Sequence, residues 1–228
     1  MQSGLVNELM QEKVSLARTP PVDRFLAYAV VYDLLSVAFT YPSADFYASL
    51  LSKEFTVSLG DALGKLTTPS LGAAPTALRT AVETISDYPQ LQLESDYIAL
   101  FDANRELPAL HPYARLYGKQ IENPALLLQQ LQAIYREHGL VLDADNGAEQ
   151  ADHITVQLEF MAMLFQRLAQ TPEDAVAEED AKAFLLQLAW LPRFVAALDE
   201  REIPHWLYHP LAHVLADIYA SDPWVTAE

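Results

Sequence analysis

The chain has 228 residues, 51% of them hydrophobic, enough to bury a sizeable core and to exclude wholesale disorder. With 14 Lys+Arg against 31 Asp+Glu its formal net charge is −17, which repels nucleic acid and anionic membrane surfaces and attracts basic peptides. It contains no cysteine, which excludes disulfides, thiolate metal sites and cysteine nucleophiles.

Glycine is scarce while Leu, Ala, Glu and Gln abound, so an all-α fold is expected. An amphipathic helix is expected over residues 4–16, stopped by Pro20-Pro21; no secretory leader is evident. Asp23 can cap the next helix, which runs to about Thr40 and stops before Pro42. Its stretch FLAYAVVYDLLSVAF is too short to span a bilayer and carries Asp33, so no membrane insertion is expected. Apolar residues cover nearly its whole circumference, which predicts a central, buried helix.

A short helix begins at Ser43. Residues 57–75 carry Gly, Thr and Pro and read as weak helix plus loop. Helices over about 76–87 and 91–102 precede a loop with two prolines at 103–112. Asn123-Pro124 is a helix start and Gly139 its stop. Residues 141–152, VLDADNGAEQAD, form an acidic connector. Beyond it Ile154, Leu158, Met161, Phe165 and Leu168 make one helical stripe. Residues 171–180 read as a solvated acidic run with Thr171 as a cap. The segment 181–198 reads as a helix kinked or interrupted at Pro192. The last helix starts at Pro204 or Pro210 and ends near Tyr219. The expected architecture is a helical bundle of about ten helices in two lobes. The lobes are residues 1–140 and 153–228, joined by a hinge at 141–152, the whole forming one compact unit.

Three patterns suggest chemistry. GDALGK, residues 60–65, has three residues between its glycines where a phosphate loop needs four, and Leu66 replaces the Ser or Thr that would hold magnesium. His205, His209, His213 and Asp217 recur at steps of four and could share a metal on one helix, or serve as packing and capping residues. Asp152-His153 is open to two readings. It could be an acid–base pair, although no nucleophile elbow or anion loop accompanies it. It could equally be a helix start, with Asp152 at the N-terminus and His153 bonding across the hinge. Tyr97 and Phe101, and Tyr113 and Tyr117, are paired at helical spacing and could be core or could flank a groove. Met161 and Met163 would add adaptable surface if exposed.

Taken in order, these segments resemble the TorD/DmsD/NarJ family of redox-enzyme maturation chaperones. DHITVQLEFMAMLF is similar to that family's Asp-His-Ile…Leu-Glu-Phe-Met block after an acidic hinge. LAYAVVYDLLSVAFTYP resembles its early helix ending in Pro, SDYIALF its Tyr-x-x-Leu-Phe segment, and LAWLPRFVAAL its late Trp-x-Pro-x-Phe helix. HPYARLYG stands where the family has Pro-Tyr-Glu-Ser-Val-Tyr, with Ala114 and Arg115 in place of Glu-Ser. The Gly-Pro that often follows Leu-Phe is replaced by Asp102-Ala103-Asn104. The resemblance spans residues 25–222.

The resemblance implies a cytoplasmic, non-enzymatic chaperone without a cofactor or metal of its own. Its partner would be the catalytic-subunit precursor of a molybdenum enzyme, or that precursor's twin-arginine signal peptide. Asp152 and His153 fall on the family's hinge pair, implicated in client recognition; Tyr97, Leu100, Phe101, Pro112 and Tyr113 fall on its groove segment. The expected assembly is a monomer or a hinge-swapped dimer. The alternative is a small metal-dependent hydrolase using His153, Glu159 and the C-terminal histidines.

Overall fold

A computed structural model describes residues 21–66, 74–83, 85, 88–102, 109–118, 123–142, 150–201 and 207–226. The helix expected over 4–16, most of the 103–112 loop, hinge residues 143–149 and His205 lie outside these. Every element among the described residues is helical, apart from one isolated antiparallel bridge between Tyr113 and His153.

Helix α1, Pro21–Ala38, is the central element, as its apolar circumference predicts. Tyr32, Leu35 and Phe39 are fully buried, while Val22, Leu26 and Val37 remain exposed along one edge. α1 lies along α8, Ile154–Gln170, in the most extensive helix–helix contact of the fold. The rings of Tyr28 and Tyr32 stack on Phe165 of α8, with centroids at 4.6 and 5.7 Å. Phe165 also stacks on Trp224 of α12, Pro223–Thr226, at 5.7 Å. The predicted stripe of α8 is wholly buried, and each such side chain contributes about 1.5–3 kcal/mol of hydrophobic stabilisation. Residues on both sides of the expected hinge therefore share one hydrophobic core.

The remaining helices pack around this pair. α2, Ala44–Leu51, is capped by Ser43, whose hydroxyl accepts from Phe46 N at 3.1 Å. α3, Glu54–Leu66, occupies ground where the sequence suggests weak helix and loop. Phe55, Leu59, Ala62, Leu63 and Leu66 form a buried stripe there, and its packing on α1 outweighs the cost of Gly60 and Gly64. GDALGK is thus helix interior and forms no anion loop. α4, Ala74–Glu83, packs on α11, Tyr208–Ser221. α5, Gln90–Tyr97, continues as a π turn over Ile98–Asp102, and α6 is the single turn Ala114–Tyr117.

α7, Pro124–Glu137, starts and stops where predicted: Asn123 Oδ1 accepts from Ala125 N and Leu126 N, and Gly139 takes φ +78° just beyond the end. The acidic run after Thr171 is mostly helix, α9, Ala175–Leu185. Its cap is Asp174, whose Oδ1 accepts from Ala177 N at 3.0 Å, whereas Thr171 closes α8. A 3₁₀ turn, Leu186–Leu188, separates α9 from α10, Leu191–Asp199. The break precedes Pro192, which sits in the first turn of the new helix where its missing N–H is harmless. By length and composition alone the Ala175–Asp199 run could cross a membrane, but half of its apolar window is buried in this core and the turn divides it. α11, Tyr208–Ser221, completes the bundle against α10 and α4.

Candidate functional site

The site is organised by α6, a one-turn helix too short to persist alone. Asp152 holds its N-terminus: the backbone carbonyl accepts from Ala114 N at 2.9 Å and Oδ2 from Arg115 N at 3.0 Å. Arg193 of α10 donates to the carbonyl of Tyr117 at 2.8 Å, placing a cation at the other end. An acid at the start and a base at the finish suit the helix dipole. The return bond from Ile154 N to Pro112 O, 2.9 Å, completes the Tyr113–His153 bridge and locks α6 to the start of α8.

Asp152 is fully buried. Its Oδ1 pairs with the Arg115 guanidinium at 2.6 Å, and that guanidinium lies 4.2 Å over the ring of Tyr113. Burial pushes the Asp152 carboxyl above the ordinary carboxylate value, and the backbone N–H and charge of Arg115 pull it back. The expectation that Asp152 caps α8 is corrected. His153 is the N-cap residue, its Nδ1 accepting from Thr155 N at 3.4 Å and lying 2.7 Å from Thr155 Oγ1. In the neutral ring that acceptor role puts the proton on Nε2. The His153 ring meets the edge of Tyr113 with centroids at 4.9 Å.

These residues border a groove of about 580 Å³, lined by Thr40, Tyr41, Tyr97, Phe101, Asp102, His111, Pro112, Tyr113, Arg115, Leu116 and His153. The π turn after α5 shapes its floor. Widening the backbone to i→i+5 bonding is a local distortion that a regular helix avoids. Here it accompanies Tyr97 and Phe101 meeting edge to face at 5.2 Å, with Tyr41 against Tyr97 at 5.6 Å. Tyr97 is anchored by its hydroxyl, which donates to Phe39 O at 3.3 Å. Behind them Tyr208 packs on Phe101 at 5.1 Å.

Of the seven residues singled out from the sequence, Tyr97, Phe101, Pro112, Tyr113 and His153 line this groove. Leu100 and Asp152 do not; Leu100 is buried in the core and bonds through its carbonyl to Leu110 N, and Asp152 acts from beneath through Arg115. Thr40, Tyr41, Arg115 and Leu116 join the lining with no signal in the sequence that marks them as site residues. Tyr41 and Leu116 are half exposed, at 50% and 55%, and offer the apolar walls. Among the described residues Asp102 is the one carboxylate lining the groove, whose aromatic walls are interspersed with the polar groups of Thr40, His111, Arg115 and His153. Met161 is buried in the core; Met163 lines a separate groove between α1 and α8 with Leu26, Asp33 and Glu159.

The hydrolase alternative does not assemble. His153 is in the aromatic groove, Glu159 faces Asp33 in the α1–α8 groove, and His209 and His213 stand with Asp199 at the α10–α11 junction. Among the described residues no candidate metal cluster includes His153 or Glu159.

Residues 67–196 match the family described as nitrate reductase delta subunit. The "Chaperone protein TorD" of Vibrio atlanticus is 31% identical over 182 residues, covering 73% of this chain and 79% of that protein. The protein of the same name from Photobacterium profundum is 30% identical over 190 residues, covering 73% and 86%. The "Perchlorate reductase assembly chaperone protein" of Dechloromonas aromatica is 27% identical over 183 residues, covering 75% and 77%.

Proposed function

The chain belongs to the nitrate reductase delta subunit family, and from that membership we propose that its aromatic groove holds a segment of an immature molybdenum-enzyme subunit until assembly is complete. The protein is a maturation chaperone and not an enzyme. The client segment is the twin-arginine signal peptide of the catalytic subunit, engaged in the cytoplasm before export. The peptide's apolar stretch occupies the groove, and its arginines are drawn by the chain's excess of carboxylates.

The observation that carries this reading is the convergence of Tyr97, Phe101, Pro112, Tyr113 and His153 on one groove with exposed walls at Tyr41 and Leu116. A groove of about 580 Å³ takes a few side chains of an extended or helical peptide. Asp152 is a positioning residue. Through Arg115 it fixes the Tyr113 ring and the α6 turn, and it makes no direct contact with the client.

Calorimetric titration with a synthetic twin-arginine leader tests the proposal. Leu116→Glu and Tyr41→Ala alter exposed walls without entering the core. Losing a Leu-sized apolar contact weakens binding about tenfold or more. Wild-type affinity in both variants would contradict the groove as the leader's seat.

A further inference from the structure

His209 and His213 do not line the groove. Spacing alone leaves them two readings, a shared metal or ordinary packing and capping. The structure adds a ligand that spacing does not reveal, because Asp199 ends the preceding helix, α10. His209 Nε2 lies 2.5 Å and His213 Nε2 2.9 Å from the same atom, Asp199 Oδ1. The imidazole centroids are 4.5 Å apart, and the three donor atoms all fall within 4.8 Å of one another.

In the absence of an ion both imidazoles can donate to Asp199 Oδ1, whose two lone pairs can accept two bonds. The same convergence brings two ring nitrogens and a carboxylate oxygen from α10 and successive turns of α11 to one point, where they can share a cation. Donors bound to a tetrahedral ion at about 2.0–2.2 Å stand roughly 3.3–3.6 Å apart. The two ring nitrogens would have to draw back from Asp199 Oδ1 by about half an ångström to one ångström to admit such an ion, a shift that rotation of partly exposed side chains can supply. All three are partly exposed, between 35% and 41%, so an ion has a path in and water can fill a fourth position. Two imidazoles and one carboxylate are borderline donors that select zinc, nickel or copper over magnesium and calcium, which take oxygen ligands.

We propose that Asp199, His209 and His213 bind one divalent transition-metal ion, of which Zn²⁺ is the representative, clipping the end of α10 to the first turns of α11. The clip is structural. It sits next to Tyr208, and through Tyr208 and Phe194 these two helices back the groove residue Phe101, with centroids at 5.1 and 6.3 Å. A bound ion holds that aromatic wall and takes no part in any reaction.

The test uses the full chain without an affinity tag, stripped with chelator and titrated with Zn²⁺, with Mg²⁺ as the control for diffuse binding to the acidic surface. One Zn²⁺ per chain is expected, with affinity lowered about tenfold or more in His213→Gln and in Asp199→Asn. Wild type should also gain thermal stability with Zn²⁺, whereas the His209→Gln/His213→Gln double variant should gain none. Copper substitution followed by electron paramagnetic resonance should show two nitrogen ligands, lost in that double variant. The proposal is overturned if Zn²⁺ binds no better than Mg²⁺, or if the double variant, folded by circular dichroism, binds Zn²⁺ as wild type does.

Discussion

Replacing Arg115 by Ala isolates the interaction that holds the groove's inner wall. The variant strips a fully buried carboxylate of its counter-ion, leaving Asp152 Oδ2 with the backbone N–H of residue 115 and Oδ1 with no charged partner. Breaking a buried pair from one side costs about 3–5 kcal/mol. Arg115 is itself 22% exposed, so water can reach part of the vacated space and the lower figure, about 3 kcal/mol, applies. For a chain of this size that lowers the melting temperature by roughly 6–12 °C.

The pH dependence follows from Asp152. Its folded pKa lies above the unfolded value, so its contribution is most favourable at acid pH and declines as pH rises through the folded value. Without Arg115 the folded value climbs further, because the attraction that lowered it is gone. The penalty of Arg115→Ala should therefore be largest near pH 7 and smaller at about pH 5, in the direction in which Asp152 takes up a proton. Urea unfolding followed by circular dichroism at both pH values, with wild type as reference at each, measures it. Adding Asp152→Asn should recover part of the loss near pH 7. A penalty below about 0.5 kcal/mol, or one that is equal or larger at about pH 5, would refute the assignment of a buried, Arg115-dependent carboxylate.

Other consequences of the packing can be checked by the same unfolding assay. Phe165→Ala removes the ring on which Tyr28, Tyr32 and Trp224 stack and should cost about 3–5 kcal/mol. Trp190→Phe deletes the 2.9 Å bond to Gln157 Oε1; the other end of that buried amide already has no partner among the described residues, so a loss of about 1–3 kcal/mol is expected. Asn123→Ala removes the cap of α7 and should cost about 1 kcal/mol.

Local signals in the sequence locate the elements that depend on local chemistry. Asn123, Pro124 and Gly139 set α7 through a side-chain cap and a left-handed glycine, and the Ile154–Leu168 stripe sets α8 through its period. What escapes is non-local. α3 is helical because its apolar face packs on α1, against the preference of its two glycines. Asp152 reads as the α8 cap because it precedes that helix, yet its carboxylate turns to residue 115, 37 positions earlier. Arg115 reads as a departure from a familiar motif and is in fact the partner of Asp152. The order of the motifs singles out five of the groove's lining residues, while Tyr41 and Leu116 enter it only through the path of the backbone.

If the groove lined by Arg115 and Leu116 of α6 receives the client's leader, contact with the leader is confined to its walls. A photoreactive benzoylphenylalanine placed at Leu116, on the groove wall, or at Val176, a 65%-exposed position on α9 that does not line it, tests this directly. After irradiation with a molybdenum-enzyme precursor carrying its twin-arginine leader, crosslinks from position 116 should map to the leader, with none from position 176. Equal labelling from both positions, or labelling from position 176 alone, would contradict it.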